Sequence, residues 1–157
     1  MLFRSEEVQA VLRACPTATL QFHGEESPAF CAQFARPWIK AAGAREGFDL
    51  RQYLAAFGAA SAWLIDAFHD KLYGGTGQSF DWSMVPAQLA RPMVLSGGLD
   101  ARNAAAAIEH LHPYALDVSS GVERDKGIKD PEKIRAFMAA VRDADHRLAH
   151  GASLEQA

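Results

Sequence analysis

The chain of 157 residues has no surplus of either charge sign: 16 Lys and Arg face 19 Asp and Glu, a formal net charge of −3. With no basic run either, nothing directs it to nucleic acid or to an anionic membrane surface. No apolar run reaches the roughly eighteen residues that a bilayer-spanning helix needs. The first residues, Met1-Leu-Phe-Arg-Ser-Glu-Glu7, lack the basic-then-apolar order of a signal peptide. Cysteine is scarce: Cys15 and Cys31 stand alone, in neither CxxC nor metal-site spacing. Cys15 extends the apolar stripe Val8, Val11, Leu12 by one turn and reads as a buried thiol. These absences predict a reduced, cytoplasmic, single-domain protein without a metal site.

What is present is a 49% apolar composition, enough for one core, laid out as short apolar runs alternating with amphipathic helical patterns. Ser5 opens a helix carrying Val8, Val11 and Leu12 on one face, and Thr17–Phe22 reads as a strand leading into His23-Gly24. Ser27 precedes a first-turn proline, Pro28, and Phe30 and Phe34 share the face of the helix that follows. Pro37–Ala41 is a further strand, and Asp49 with Gln52 resembles a capping box for a helix bearing Leu50, Tyr53, Leu54 and Phe57. Ala62–Phe68 is apolar apart from Asp66, and a long loop, His69 to Phe80, follows it with Gly74-Gly-Thr-Gly77. That glycine cluster is too short for a nucleotide fingerprint and reads either as a loop over a site or as plain surface. Two more strands end in small residues, Val94-Leu-Ser-Gly-Gly98 and Val118-Ser-Ser-Gly121. Between them Asp100 is expected to cap a helix with Ala104, Ala107, Ile108 and Leu111 inward. Asp130-Pro131 starts a last helix with Ile134, Phe137, Met138 and Val141 on one side. Residues 1–149 form one domain in this reading, and 150–157 a disordered tail.

Apolar strands each followed by a helix indicate a parallel sheet covered on both faces, either a barrel or an open doubly wound sheet. In both, ligands bind at the C-terminal ends of the strands. That edge receives Gln21, His23, Asp66, Gly97, Gly98, Asp117, Ser119, Ser120 and Gly121. A carboxylate ending an apolar strand is costly unless hydrogen-bonded or used in proton transfer, so Asp66 is the sharpest acid–base candidate, and burial would favour its protonated form. Asp117 has the same two readings, but fixing the turn after it explains it equally well. Gln21 and His23 alternate onto one face. No second ligand stands at metal spacing from His23, which argues against zinc. The two glycine-bearing turns offer bare backbone to a ligand and suit a phosphate, or else simply need glycine for their dihedrals.

Taken together, Leu20-Gln-Phe-His-Gly-Glu25, Ile39-Lys-Ala41, Leu64-Ile-Asp66, Gly74-Gly-Thr-Gly77 with Phe80-Asp-Trp82, Leu95-Ser-Gly-Gly-Leu99, Asp117-Val-Ser-Ser-Gly-Val-Glu123 and Gly127-Ile-Lys-Asp130 resemble the phosphoribosylanthranilate isomerases of tryptophan biosynthesis. The resemblance implies a (βα)₈ barrel of parallel strands. It also implies a cofactor-free Amadori rearrangement of N-(5-phosphoribosyl)anthranilate to 1-(2-carboxyphenylamino)-1-deoxyribulose 5-phosphate. It gives Asp66 the role of general acid on the ribose ring oxygen. Gln21, His23 and Asp117 would line the substrate, and Gly97, Gly98, Ser119, Ser120 and Gly121 would hold its phosphate.

The family's general base, a cysteine in a Lys-Ile-Cys-Gly type motif, has no counterpart here, nor has the arginine of its second strand. Counting back from the matched strands, Met1-Leu2-Phe3 reads as the remnant of strand three. The expectation is therefore a barrel lacking its first two βα units, about strands 3–8, whose unpaired edges favour self-association. Two other functions stay open: an inactive fragment that keeps a phosphate site, and another phosphate-binding barrel such as indole-glycerol-phosphate synthase.

Overall fold

A computed structural model describes residues 5–67, 82–86 and 88–154. The expected strand remnant Met1–Phe3 and the loop from His69 to Phe80 lie outside the described residues. The chain runs α1 (Ser5–Ala14), β1 (Leu20–Phe22), α2 (Pro28–Ala32), β2 (Trp38–Gly43), α3 (Leu50–Ala55) and β3 (Ala62–Asp66). It continues through β4 (Met93–Ser96), α4 (Ala104–Leu111), β5 (Ala115–Leu116), β6 (Glu123–Asp125), β7 (Ile128–Lys129) and α5 (Pro131–Leu154). Short 3₁₀ turns occupy Trp82–Met84 and Ser120–Val122. Helix α5 thus reaches into the stretch that the sequence leaves as a tail.

Strands β1 to β5 form one parallel sheet in strictly sequential order. An open doubly wound sheet reverses its order at a switch point; a barrel does not. The order therefore selects between the two architectures: this is an α/β arc with flanking helices, consistent with an incomplete (βα)₈ barrel. Among the described residues the arc holds five parallel strands beginning at Leu20, which does not confirm the finer expectation of strands three to eight.

The register sorts the side chains onto two faces. Phe22, Lys40 and Trp63 are paired neighbours, as are Ile65 and Leu95. This face meets the helices: Phe22 packs on Phe30, Phe34 and Trp38, and Trp38 on Phe57. The Trp63 indole N–H donates to the Phe57 carbonyl at 3.2 Å. The opposite, inner face carries Gln21, Ile39, Ala41, Leu64, Asp66, Val94 and Ser96 by strand alternation. Apolar strands buried on both faces are what such an arc demands, and β3 shows it with Trp63, Leu64 and Ile65 all buried.

Local signals place several helices as expected. Ser27 caps α2 by accepting from the Phe30 N–H at 3.2 Å, with Pro28 in the first turn. Asp49 caps α3 by accepting from the Gln52 N–H at 2.8 Å. The inner face of α4 is Ala104, Ala107, Ile108 and Leu111, all buried.

Elsewhere tertiary contacts override local pattern. Asp100 does not cap α4; Asn103 stands at that position, while the Asp100 carboxylate turns back to the Arg102 N–H at 2.7 Å and to the Arg102 guanidinium. Cys15 is exposed and Cys31 is the buried thiol, because α1 buries only Val8 and ends before Cys15. On α5, Phe137 and Ala144 are buried whereas Ile134 and Met138 are 40% and 44% exposed. The helix packs on α4 and the Ser120–Val122 turn, which cover a stripe too narrow for all four expected residues. The β6–β7 hairpin, turning at Gly127 with φ +80°, was not anticipated.

Candidate functional site

The C-terminal ends of β2, β3 and β4 align Gly43, Asp66 and Ser96 as register neighbours. Main-chain bonds lock this row: Ala44 N–H donates to the Asp66 carbonyl at 2.8 Å, and Ala67 N–H to the Ser96 carbonyl at 3.0 Å. One strand further, Asp117 N–H donates to the Leu95 carbonyl at 2.8 Å, carrying the ladder one residue beyond β5. The Ser96 hydroxyl then donates to Asp117 Oδ2 at 3.3 Å. Asp66, Ser96 and Asp117 thus stand side by side at one edge, with Asp66 half-buried. The sequence anticipates both aspartates and places Ser96, which bonds to Asp117 and is the register neighbour of Asp66, only in a turn.

The expected phosphate turns begin one residue beyond this row. Gly97 and Gly98 take φ of +94° and +61°, conformations in which side chains are strained. The Asn103 amide braces this turn, donating to the Gly98 carbonyl at 3.1 Å and accepting from the Asp100 N–H at 2.9 Å. The second turn packs directly onto the first. A Cβ added to Gly121 would lie 1.8 Å from the Leu99 carbonyl oxygen and 3.0 Å from Asp100 Cβ. The structure therefore brings Gly97, Gly98, Ser119, Ser120 and Gly121 together in two interlocked turns beside Asp117.

Beyond the second turn, Lys129 donates to the Ser119 carbonyl at 2.9 Å, the Ser119 hydroxyl at 3.3 Å and Glu123 Oε1 at 2.8 Å. The hydrogen bond from Lys129 and another from the Gly127 N–H hold the Glu123 carboxyl below the usual carboxylate range. Lys129 was absent from the sequence-based site. Its signal was the Gly-Ile-Lys-Asp run, but only the hairpin folds it back onto Ser119.

Gln21 and His23 lie on the far flank, two strand spacings from β3, which is roughly 10 Å across the sheet. They line a cavity of about 330 Å³ together with Val8, Gly24, Glu26 and Phe30. Behind them Lys40, with no exposed surface, donates to the Gly24 carbonyl at 2.5 Å and to Glu26 Oε2 at 3.0 Å. Burial alone would raise the Glu26 carboxyl, but the hydrogen bonds from Lys40 and the backbone outweigh it and hold it low. Gly74-Gly-Thr-Gly77 lies outside the described residues.

A family model described as N-(5'-phosphoribosyl)anthranilate isomerase matches residues 2–140. The isomerase of Pseudomonas putida strain W619 is 49% identical over 138 residues, 88% of this chain and 67% of that protein. A crystal structure of a phosphoribosylanthranilate isomerase in complex with reduced 1-(o-carboxyphenylamino)-1-deoxyribulose 5-phosphate superposes with TM-score 0.72 at 32% identity, over 88% of this chain and 66% of that one. Monomers of the dimeric Thermotoga maritima enzyme give TM-score 0.73 at 31% identity, over 88% of this chain and 67% of theirs. The chain spans about two thirds of the length of these relatives.

The match overturns the sequence-based expectation of a chain lacking the family's first two βα units: it begins at residue 2 and takes in nearly the whole chain. From its described start the chain runs α1, β1, α2, β2 in the same alternation as the rest. The same matches favour an isomerase of tryptophan biosynthesis over the inactive-fragment and indole-glycerol-phosphate synthase readings. Among the described residues no helix is long and apolar enough to cross a membrane. By the extent of the family match and by its fold, the chain belongs to the N-(5'-phosphoribosyl)anthranilate isomerase family.

Proposed function

We propose that the chain acts on N-(5'-phosphoribosyl)anthranilate as a cofactor-free isomerase, with Asp66 as general acid and the two interlocked turns as the phosphate grip. Asp66 gives a proton to the ribose ring oxygen as the C1–O bond breaks, and the nitrogen lone pair forms the C1=N iminium. Loss of the C2 proton to a base returns that electron pair to nitrogen and leaves an enol across C1 and C2. Protonation at C1 with loss of the enol O–H proton yields the 2-ketose. Gln21, His23 and Asp117 line the substrate in this reading, and no residue is assigned as the base. Self-association belongs to the same reading: β1 and β5 each pair on one side only among the described residues, and a concentration-dependent sedimentation coefficient is its signature.

One observation carries the proposal. The β3–β4 register sets Asp66 beside Ser96, the residue immediately before Gly97-Gly98, so the acid and the phosphate grip share one edge. A sugar phosphate held by those turns extends its ring along the row towards Asp66. Asp66→Asn keeps the shape and removes the acid, and the expected outcome is a fall of about 10²–10⁴-fold in kcat with sugar-phosphate binding retained. Turnover by Asp66→Asn at the unsubstituted rate would overturn the assignment of the acid. Sugar-phosphate binding without turnover in the unsubstituted chain would overturn the isomerase reading and leave a binding fragment.

A further inference from the structure

A buried lysine in a parallel strand needs a reason. Lys40 sits on the helix-facing side of β2, between its register neighbours Phe22 and Trp63, with its ammonium 5.1 Å from the centre of the Phe57 ring. Withdrawing such a charge from water costs several kcal/mol, and an apolar side chain of similar length would pack there at no such cost. Packing alone does not explain Lys40. Its hydrogen bonds supply the explanation, because both lead to one residue, directly or through Glu26.

That residue is Gly24. Its carbonyl accepts from Lys40 Nζ at 2.5 Å and its N–H donates to Glu26 Oε2 at 2.9 Å. The same Glu26 oxygen accepts from Lys40 at 3.0 Å, which closes a three-membered ring of contacts around Gly24. Two residues earlier, Phe22 is fixed by the β1–β2 ladder and by its rings of contact with Phe30, Phe34 and Trp38. His23 stands between these two anchors. The residue is exposed and lines the cavity at the β1 flank, while both neighbouring residues are held from the core side.

We propose that Lys40 and Glu26 are a positioning pair: they clamp the Gly24 peptide and thereby aim His23 at the substrate. The proposal rests on the isomerase reading for the identity of that substrate. Neither residue touches the reacting atoms. Their work is to fix the neighbouring His23 through the main chain. Fixing the backbone of one residue in advance removes an ordering cost that substrate binding would otherwise meet. Hydrogen bonds to charged groups are the strong kind suited to holding it.

The double variant Lys40→Met with Glu26→Leu separates positioning from structure. It removes both charges, so no unpaired ion remains and the fold is retained, which a melting temperature near that of the parent verifies. The expected outcome is a KM raised by about tenfold, with kcat changed far less, because losing the aim of a binding residue weakens substrate affinity. Amide exchange at Gly24 accelerates, and the His23 ring resonance moves towards that of a solvent-averaged histidine. Glu26→Gln, which keeps an oxygen for the Gly24 N–H, restores most of the affinity. Should the double variant not fold, Glu26→Ala takes its place with the same readouts.

A double variant with parental KM, Gly24 exchange and His23 resonance would overturn the proposal. If the parent chain itself shows no turnover, the isomerase reading has failed on its own account. Gly24 exchange and the His23 resonance, which need no substrate, then still decide the clamp.

Discussion

Two lysine–glutamate pairs hold turns at the two flanks of this sheet edge, and they are built alike. Lys40 donates to the Gly24 carbonyl and to Glu26, which accepts from the Gly24 N–H. Lys129 donates to the Ser119 carbonyl and to Glu123, which accepts from the Gly127 N–H. They differ in their surroundings: the Lys40 side chain has no exposed surface, whereas that of Lys129 is 46% exposed. Inside, a charge pair faces no competition from water or salt and dictates where its peptide lies. Outside, the same pair is screened and adds little. The turn at Ser119, proposed as part of the phosphate grip, must therefore be held by something else, and the close approach of Gly121 to Leu99 supplies it. One flank is positioned by charge and the other by steric fit.

The largest expected effect follows from that division. Gly121→Ala places a methyl group 1.8 Å from the Leu99 carbonyl oxygen; that oxygen is main chain and a Cβ has no rotamer, so neither can turn away. Overpacking of this kind typically costs about 1–3 kcal/mol or more. A melting temperature lower by roughly 5–10 °C is expected, with inorganic phosphate binding weakened at least about tenfold as the turns separate. Parental phosphate affinity in this variant would mean that the second flank does not depend on fit.

The same division explains what the sequence discloses. Apolar runs ending in Asp66 and in Ser96-Gly97-Gly98 announce parallel strands delivering a site to one edge, because burial on both faces leaves no polar alternation. Ser27 and Asp49 announce their helices because capping is local. The clamp is silent in sequence: Lys40 interrupts an apolar run as any charge would, and its partners lie 14 and 16 residues away. Lys129 is silent for a related reason, since only the β6–β7 hairpin returns it to Ser119. The buried stripe of α5 is narrower than its apolar pattern because sequence shows which residues are apolar, not how much of a helix its neighbours cover. Asn103 stands at the start of α4 without a side-chain capping bond, because its amide is turned to the Gly98 carbonyl and the Asp100 N–H while the Asp100 carboxylate is drawn to Arg102.

An acid titration sharpens the comparison with a smaller effect. Glu26 and Glu123 are both held below the usual carboxylate range in the folded chain, Glu26 against the opposing pull of burial. A depressed folded value means that the stabilisation is present above the unfolded value and is lost as pH falls through the folded one. Stability is therefore expected to decline as pH drops below the ordinary carboxylate range of about 4. At about 1 M salt, where screening acts over roughly 3 Å, the exposed share of that decline fades and the buried share remains. The Lys40→Met, Glu26→Leu chain should lose the salt-resistant share. An identical acid profile in the two chains would remove Glu26 from the account.

The smallest effect is the most discriminating. Lys129→Met deletes the cation that touches Ser119 but leaves Gly121 seated against Leu99 and Asn103 bracing Gly98. If fit holds the phosphate turn, thermal stability barely changes, and phosphate affinity falls a few-fold at low salt because a nearby positive charge is gone. That deficit should close as ionic strength rises towards physiological values, where the Debye length is about 8 Å. A loss that persists at high salt, or that matches Gly121→Ala in size, would show Lys129 acting as Lys40 does, through a contact that water does not screen. The contrast between the two flanks would then be one of exposure only, with charge holding both turns.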